Sequence, residues 1–179
     1  KALSEVKVDI EYNRPFITAV SPECRIFSQA YHPQHDQELD AAYWKDLDLA
    51  SNVFKLARHI HALSLFGVIE CPRYSTIWGT KMALEVARLP GWFYVDFDGC
   101  MYGLTHPVTG LPVRKAWRLL TNAWFLTFLG KVCNGYDVAQ TKRDHLAKHD
   151  HTVLEGRWTT WSAVYPWKFC VLFAKLVKY

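Results

Sequence analysis

The chain has 179 residues, half of them apolar and 15% aromatic, with eight Trp, a formal net charge of +4 and a pI near 8.8. So apolar a composition excludes a disordered chain, and so mild a charge excludes a polybasic arm while tolerating nucleic acid or another anionic partner. No apolar stretch reaches the roughly 18 residues that a transmembrane segment needs, and five scattered Cys without a CxxC pair point to an intracellular, reducing compartment, nucleus or organelle alike.

The chain starts at Lys1 rather than Met and is expected to enter a strand-like segment almost at once, with no charged-then-apolar leader. It reads either as a processed chain or, the favoured alternative, as a fragment of a longer protein. Residues 16–20 (FITAV) form an apolar, β-branched run that stops at Ser21-Pro22, the pattern of a buried strand ending in a turn. Residues 31–37, rich in Pro, Gln and His, read as loop. From Asp40 to Phe66 apolar residues recur at helical spacing (Leu47, Ala50, Phe54, Ala57, Ile60, Leu63), with Asp40 as N-cap and Gly67 as the stop.

Residues 68–71 make a second strand closed by Pro72. Residues 76–89 make a second helix with Trp78, Met82 and Val86 on one face, ended by Pro90-Gly91. A third strand is expected over residues 92–97, a loop over 103–112 and a fourth strand over 117–121. Residues 134–151 are polar and irregular, and residues 162–177 read as helical around Pro166. Alternating strands and helices build an α/β fold with a parallel sheet, in which chemistry gathers at the carboxyl ends of strands.

Two strand ends carry reactive groups, Cys24 and Glu70. A Cys just past a strand, on a turn preset by Pro22, is placed as a nucleophile would be, and Arg25 would favour its thiolate. The plainer reading is a buried, inert Cys in a turn. Asp96 and Asp98 flank Phe97 at another strand end, where alternation puts both carboxylates on one face. They suit either Mg²⁺ or, more simply, a solvated strand end. Arg114, Lys115 and Arg118, with Trp117, suit a phosphate and a base, or an ordinary charged edge.

The run Cys24-Arg-Ile-Phe27-Ser28 resembles the catalytic Pro-Cys-Gln-x-Phe-Ser motif of cytosine-5 methyltransferases. Glu70, 42 residues after Ser28, lies in Ile69-Glu70-Cys71-Pro72, which is similar to that family's Glu-Asn-Val motif. The chain looks more closely like a methyltransferase-like domain seen in retroelement-type polyproteins of dinoflagellates and related protists. Ser21-Pro22-Glu23-Cys24, Glu70-Cys71-Pro72, Cys100-Met101-Tyr102-Gly103, Lys115-Ala116-Trp117-Arg118 and Thr121-Asn122 follow that pattern in order. Cys133-Asn134-Gly135, His149-Asp150-His151 and Tyr165-Pro166 to Cys170 complete it.

The resemblance implies a partial Rossmann-like, class I methyltransferase-like sheet with flanking helices over residues 1–131. Residues 132–179 would then form an irregular, zinc-binding extension packed on the same domain. It assigns Cys24 as the nucleophile that attacks a flipped cytosine and Glu70 as the acid that binds the ring. Phe27, Ser28, Arg114, Lys115 and Arg118 are the expected substrate-binding residues.

There are departures. Glu23 replaces a Pro and sets a carboxylate beside Cys24, which disfavours a thiolate. None of the nine Gly forms the GxG pair of a dinucleotide-type cradle. S-adenosylmethionine is therefore expected only where a missing half is supplied by another chain.

Cys133, His149, His151 and Cys170, with His145 and Cys100 as spares, offer the donor types of tetrahedral zinc. The alternative is surface His and core Cys with no metal. Three functions follow: a non-catalytic accessory subunit of a larger assembly with a Trp-rich interface, ranked first; part of a cytosine-5 methyltransferase; and a zinc-stabilised nucleic-acid-binding module.

Overall fold

A computed structural model describes residues 2–23, 25–27, 37–133, 151–152 and 164–178 of this mixed α/β chain. Its elements, in order, are α1 (Leu3–Asn13), β1 (Ile17–Val20), α2 (Gln37–Ala62), β2 (Phe66–Pro72), α3 (Lys81–Ala87), β3 (Phe93–Asp98), β4 (Ala116–Thr121) and α4 (Trp167–Lys178). Single 3₁₀ turns lie at Arg25–Phe27, Thr76–Gly79, Gly99–Tyr102 and Trp124–Leu129.

The sheet has the order β1-β2-β4-β3. β1 and β2 are parallel, with Ile17 opposite Phe66 and Val20 opposite Ile69, so α2 is the crossover of a βαβ unit. β4 runs the other way: Asn122, just past its end, donates its N–H to the carbonyl of Gly67 near the start of β2. Likewise Gly99, just past β3, donates to Lys115, just before β4, at 2.7 Å. The sheet is therefore mixed, where the strand–helix alternation predicts a parallel one. The loop between β3 and β4 carries no helix of crossover length, and without one consecutive strands turn back on each other.

By compactness the chain divides into two units, Lys1–Tyr94 with Arg118–Trp124, and Val95–Trp117 with Phe125–Tyr179. The core of the first unit gathers Phe54, Ala57, Ile69, Ile77, Val86 and Leu120, all at most 1% exposed. Burying each large side chain of this kind stabilises by roughly 1.5–3 kcal/mol. α2 supplies the apolar spacing seen in the sequence, but it spans Gln37–Ala62 rather than 40–66. Ser64 adopts a left-handed φ of 57°, and Leu65 closes the helix by donating to Ile60. Gly67 is thus not a helix stop but a strand residue, whose missing side chain admits the Trp92 ring: a Cβ there would lie 3.1 Å from it.

Residues 3–13 form a helix, not the strand-like start expected. Leu3, Val6 and Ile10 fall on one helical face and pack with Leu56 and Ile60, and the Glu5 carboxylate accepts the Ala2 N–H at 3.3 Å. The single helix expected over 76–89 is two elements. Thr80 takes an extended conformation and its hydroxyl caps Ala83, so α3 starts afresh after the 3₁₀ turn.

The second unit centres on aromatic rings. Phe97 stacks on Trp117 (5.2 Å between centroids) and on Phe169 of α4 (4.4 Å), and meets Tyr102 edge-on at 5.9 Å. No helix among the described residues is long and apolar enough to cross a membrane.

Candidate functional site

β3 ends on Asp98, whose side chain is fully buried. Both its backbone and its carboxylate hold the segment ahead of Cys133. The Asp98 N–H donates to the Lys131 carbonyl at 2.9 Å, and the carboxylate accepts the Cys133 N–H at 2.8 Å. Arg114 Nε lies 3.5 Å from the same carboxylate and balances its charge. A buried carboxylate is tolerable only with such partners. Asp98 is therefore neither a solvated strand end nor half of an acidic pair open to Mg²⁺.

The chain then turns through Gly99–Tyr102, capped by Gly103 in the left-handed region at φ 81°. Gly99 has to be glycine here: a Cβ would meet Leu104 Cδ2 at 2.7 Å and the Trp117 ring at 2.9 Å. This turn brings Cys100 to Cys133. Thr152 is tied to the Pro112 carbonyl at 3.0 Å, which seats its neighbour His151. His151 Nε2 lies 3.3 Å from Cys100 Sγ and 3.6 Å from Cys133 Sγ. The three donor atoms all lie within 4.8 Å of one another, a group able to hold a metal ion. Cys133 is fully buried.

Burial pushes the Cys100 thiol up to about 12, and the neighbouring Cys133 and the Asp98 charge push the same way, against a weaker pull from the Met101 N–H. The Cys100 thiol, packed beside Cys133 and Asp98, keeps its proton by itself. A cation reverses that sign, because a coordinating thiol gives up its proton.

The expected ligand set is thus partly corrected. Cys133 and His151 converge, and Cys100 joins them. Cys170 is exposed on α4 with its thiol directed to the Tyr165 carbonyl, outside the group. His149 and His145 lie outside the described residues. Distance along the chain hid the pairing: Cys100 follows a strand end and Cys133 a 3₁₀ turn, and the Asp98 hydrogen bonds join the two segments. Cys100 stands among the sequence's spare donors, and no local signal raises it above Cys170.

The other expected site residues scatter. Glu70 lies half-buried on β2, and Ser21 Oγ donates to its Oε2 at 2.7 Å across the parallel pair. Cys24 and Ser28 lie outside the described residues. Phe27 is a core residue of the first unit, its carbonyl accepting from Ser75 and Thr76 hydroxyls. Arg114 is engaged with Asp98; Lys115 Nζ sits 5.2 Å from the centre of the buried Trp117 ring; Arg118 lies 4.9 Å over Tyr94. Each of these three cations meets one of the protein's own rings or its buried acid.

The fold and the group together define a mixed α/β protein with a partly buried thiol–imidazole cluster. No known family, curated protein or solved structure matches the chain.

Proposed function

We propose that the chain is a zinc-stabilised, methyltransferase-like α/β module that serves a larger assembly as a non-catalytic subunit. The observation that carries this reading is the Cys100–Cys133–His151 group. In a zinc tetrahedron with Zn–S near 2.3 Å and Zn–N near 2.0 Å, sulfur and nitrogen stand about 3.5 Å apart. The two separations found here, 3.3 and 3.6 Å, bracket that value. The fully buried Cys133 suits a structural site rather than a catalytic one, which keeps an open position. Zinc would supply the positive charge that two thiolates beside Asp98 require, and so lock β3, its turn and the Cys133 segment together.

The subunit role is supported by exposed indoles. Trp44 is 63% and Trp124 65% exposed, whereas Trp78, Trp92 and Trp117 are buried. Exposed Trp of this size favours covering by a partner. None of the cofactor cradle that S-adenosylmethionine requires is legible in the glycine spacing, so no methyl transfer is assigned to this chain.

The test is metal analysis of the chain purified under reducing conditions. One zinc per chain is expected, with loss on Cys100→Ser, Cys133→Ser or His151→Ala and retention in Cys170→Ser. Cobalt substitution should give a thiolate charge-transfer band. A chain that takes up neither zinc nor cobalt, and whose thermal transition ignores chelator, refutes the reading.

A second reading, part of a cytosine-5 methyltransferase, is favoured by one observation: the turn leading to Cys24 is hydrogen-bonded to Glu70 through Ser21. That juxtaposition is what attack on a base held by the acid needs. It predicts a covalent adduct with a 5-fluorocytosine oligonucleotide once a cofactor-binding half is added, lost in Cys24→Ala. No adduct under those conditions removes this reading.

A further inference from the structure

A cleft of about 410 Å³ in the second unit is used by none of the chemistry above. One wall is the turn ending in Tyr102 and Gly103, and the other is the start of α4 with Tyr165, Trp167 and Lys168. Its volume is in the range of small-ligand pockets, about 300–1,000 Å³.

The walls are stiff where they are aromatic. The Tyr102 hydroxyl donates to the Leu129 carbonyl at 2.7 Å, and its ring is held edge-on against Phe169. Tyr165 is stacked on the other neighbour of that ring cluster, 5.4 Å from Phe169 at 25°. Trp167, by contrast, is 79% exposed, a whole indole at the rim of a cavity rather than in the core. A flat surface of this size is presented to solvent at the start of an otherwise apolar helix.

The charge at the cleft is of one sign. Lys168 extends along Gly103, where a Cβ would stand 3.7 Å from its Nζ; the left-handed glycine leaves that path open. No carboxylate belongs to the described residues that line the cleft. An aromatic plane beside a lysine, with no acid among the described lining residues, matches a flat ring that carries an anionic group.

We infer that this cleft binds a nucleotide, with the base against Trp167 and the phosphate at Lys168. The inference goes beyond the zinc and subunit readings and does not depend on either. Free nucleotide and single-stranded nucleic acid share this chemistry, so the experiment carries both. Binding of adenosine monophosphate and of oligo(dA) to the full chain is measured by equilibrium dialysis and by quenching of Trp fluorescence at low and moderate salt.

The expected result is saturable binding of at least one probe. Trp167→Ala should weaken it about tenfold, since base stacking on an aromatic ring is of that order. Lys168→Glu should weaken it at least as much and flatten its salt dependence. Tyr12→Ala, which removes an exposed aromatic ring in the first unit, should leave it unchanged. Binding of both probes identifies a free-nucleotide site; binding of oligo(dA) alone identifies a single-strand site. Both variant positions are exposed, and circular dichroism verifies that each variant is folded; Lys168→Gln replaces Lys168→Glu should the latter not fold. Absence of binding to either probe, or binding that Trp167→Ala and the Lys168 variant leave intact, overturns the proposal.

Discussion

Replacing Asp98 by alanine removes the acceptor that holds the Cys133 N–H at 2.8 Å in a fully buried setting. A buried donor left without its partner costs about 1–3 kcal/mol. Arg114, 3.5 Å from the same carboxylate, is 35% exposed and can turn to solvent. Its contribution therefore falls well short of the 3–5 kcal/mol of a fully buried pair and adds roughly 1 kcal/mol. The sum, about 2–4 kcal/mol, corresponds in a chain of 179 residues to a fall in Tm of roughly 5–15 °C. Asp98→Asn keeps a carbonyl for the Cys133 N–H and loses only the charge, so it should recover about half of the loss.

Urea unfolding gives the measurement, with an unchanged m-value expected because the same surface is exposed. Zinc affinity should fall in parallel, by roughly 10–100-fold, since Asp98 orients a ligand-bearing segment without touching metal. An alanine variant within about 0.5 kcal/mol of the parent would show that the β3 end and the Cys133 segment are held together by something other than this carboxylate.

Gly99→Ala should destabilise by about 1–3 kcal/mol, because the new methyl meets Leu104 and the stacked Trp117 ring; a changed near-ultraviolet Trp signal checks it, and an unperturbed one argues against the close packing. Asn122 reaches back to β2, accepting the Gly67 N–H at 2.7 Å and donating to the Leu65 carbonyl at 2.9 Å. Asn122→Ala should cost about 1–3 kcal/mol and Asn122→Asp, which still accepts, less; urea midpoints in the reverse order contradict that reading. Tyr102→Phe should cost about 1 kcal/mol through the lost bond to Leu129, with its ring still in the Phe97–Phe169 cluster. A larger loss would mean that the ring moves as well.

Much of the fold could be read along the chain because its signals are local. The period of Ala50, Phe54, Ala57 and Ile60 defines α2 wherever it packs, and the β-branched runs before Ser21 and Pro72 define β1 and β2. Boundaries were less legible where a single backbone conformation decides them, as at Ser64 and Thr80, since neither residue type demands the conformation it takes. The helix over residues 3–13 is weakly amphipathic and declares itself only against Leu56 and Ile60.

The site followed the same division. Residue type alone named Cys133 and His151 as metal donors, because thiol and imidazole carry that chemistry in any fold. Which thiol joins them was a tertiary decision. Cys100 and Cys133 are 33 positions apart (133 − 100) and meet because Asp98 pins one strand end to the other segment. Cys170, equally plausible by composition, is carried off on the exposed side of α4. Arg114, Lys115 and Arg118, near neighbours in sequence, each meet an acid or a ring of their own, a pairing that only the packed structure supplies. Sequence by itself determined the available donors and the strand–helix order, which depend on side-chain chemistry and local period. The reversal of β4, the burial of Asp98 and the choice of Cys100 needed the packed structure, because each depends on contacts between segments far apart along the chain.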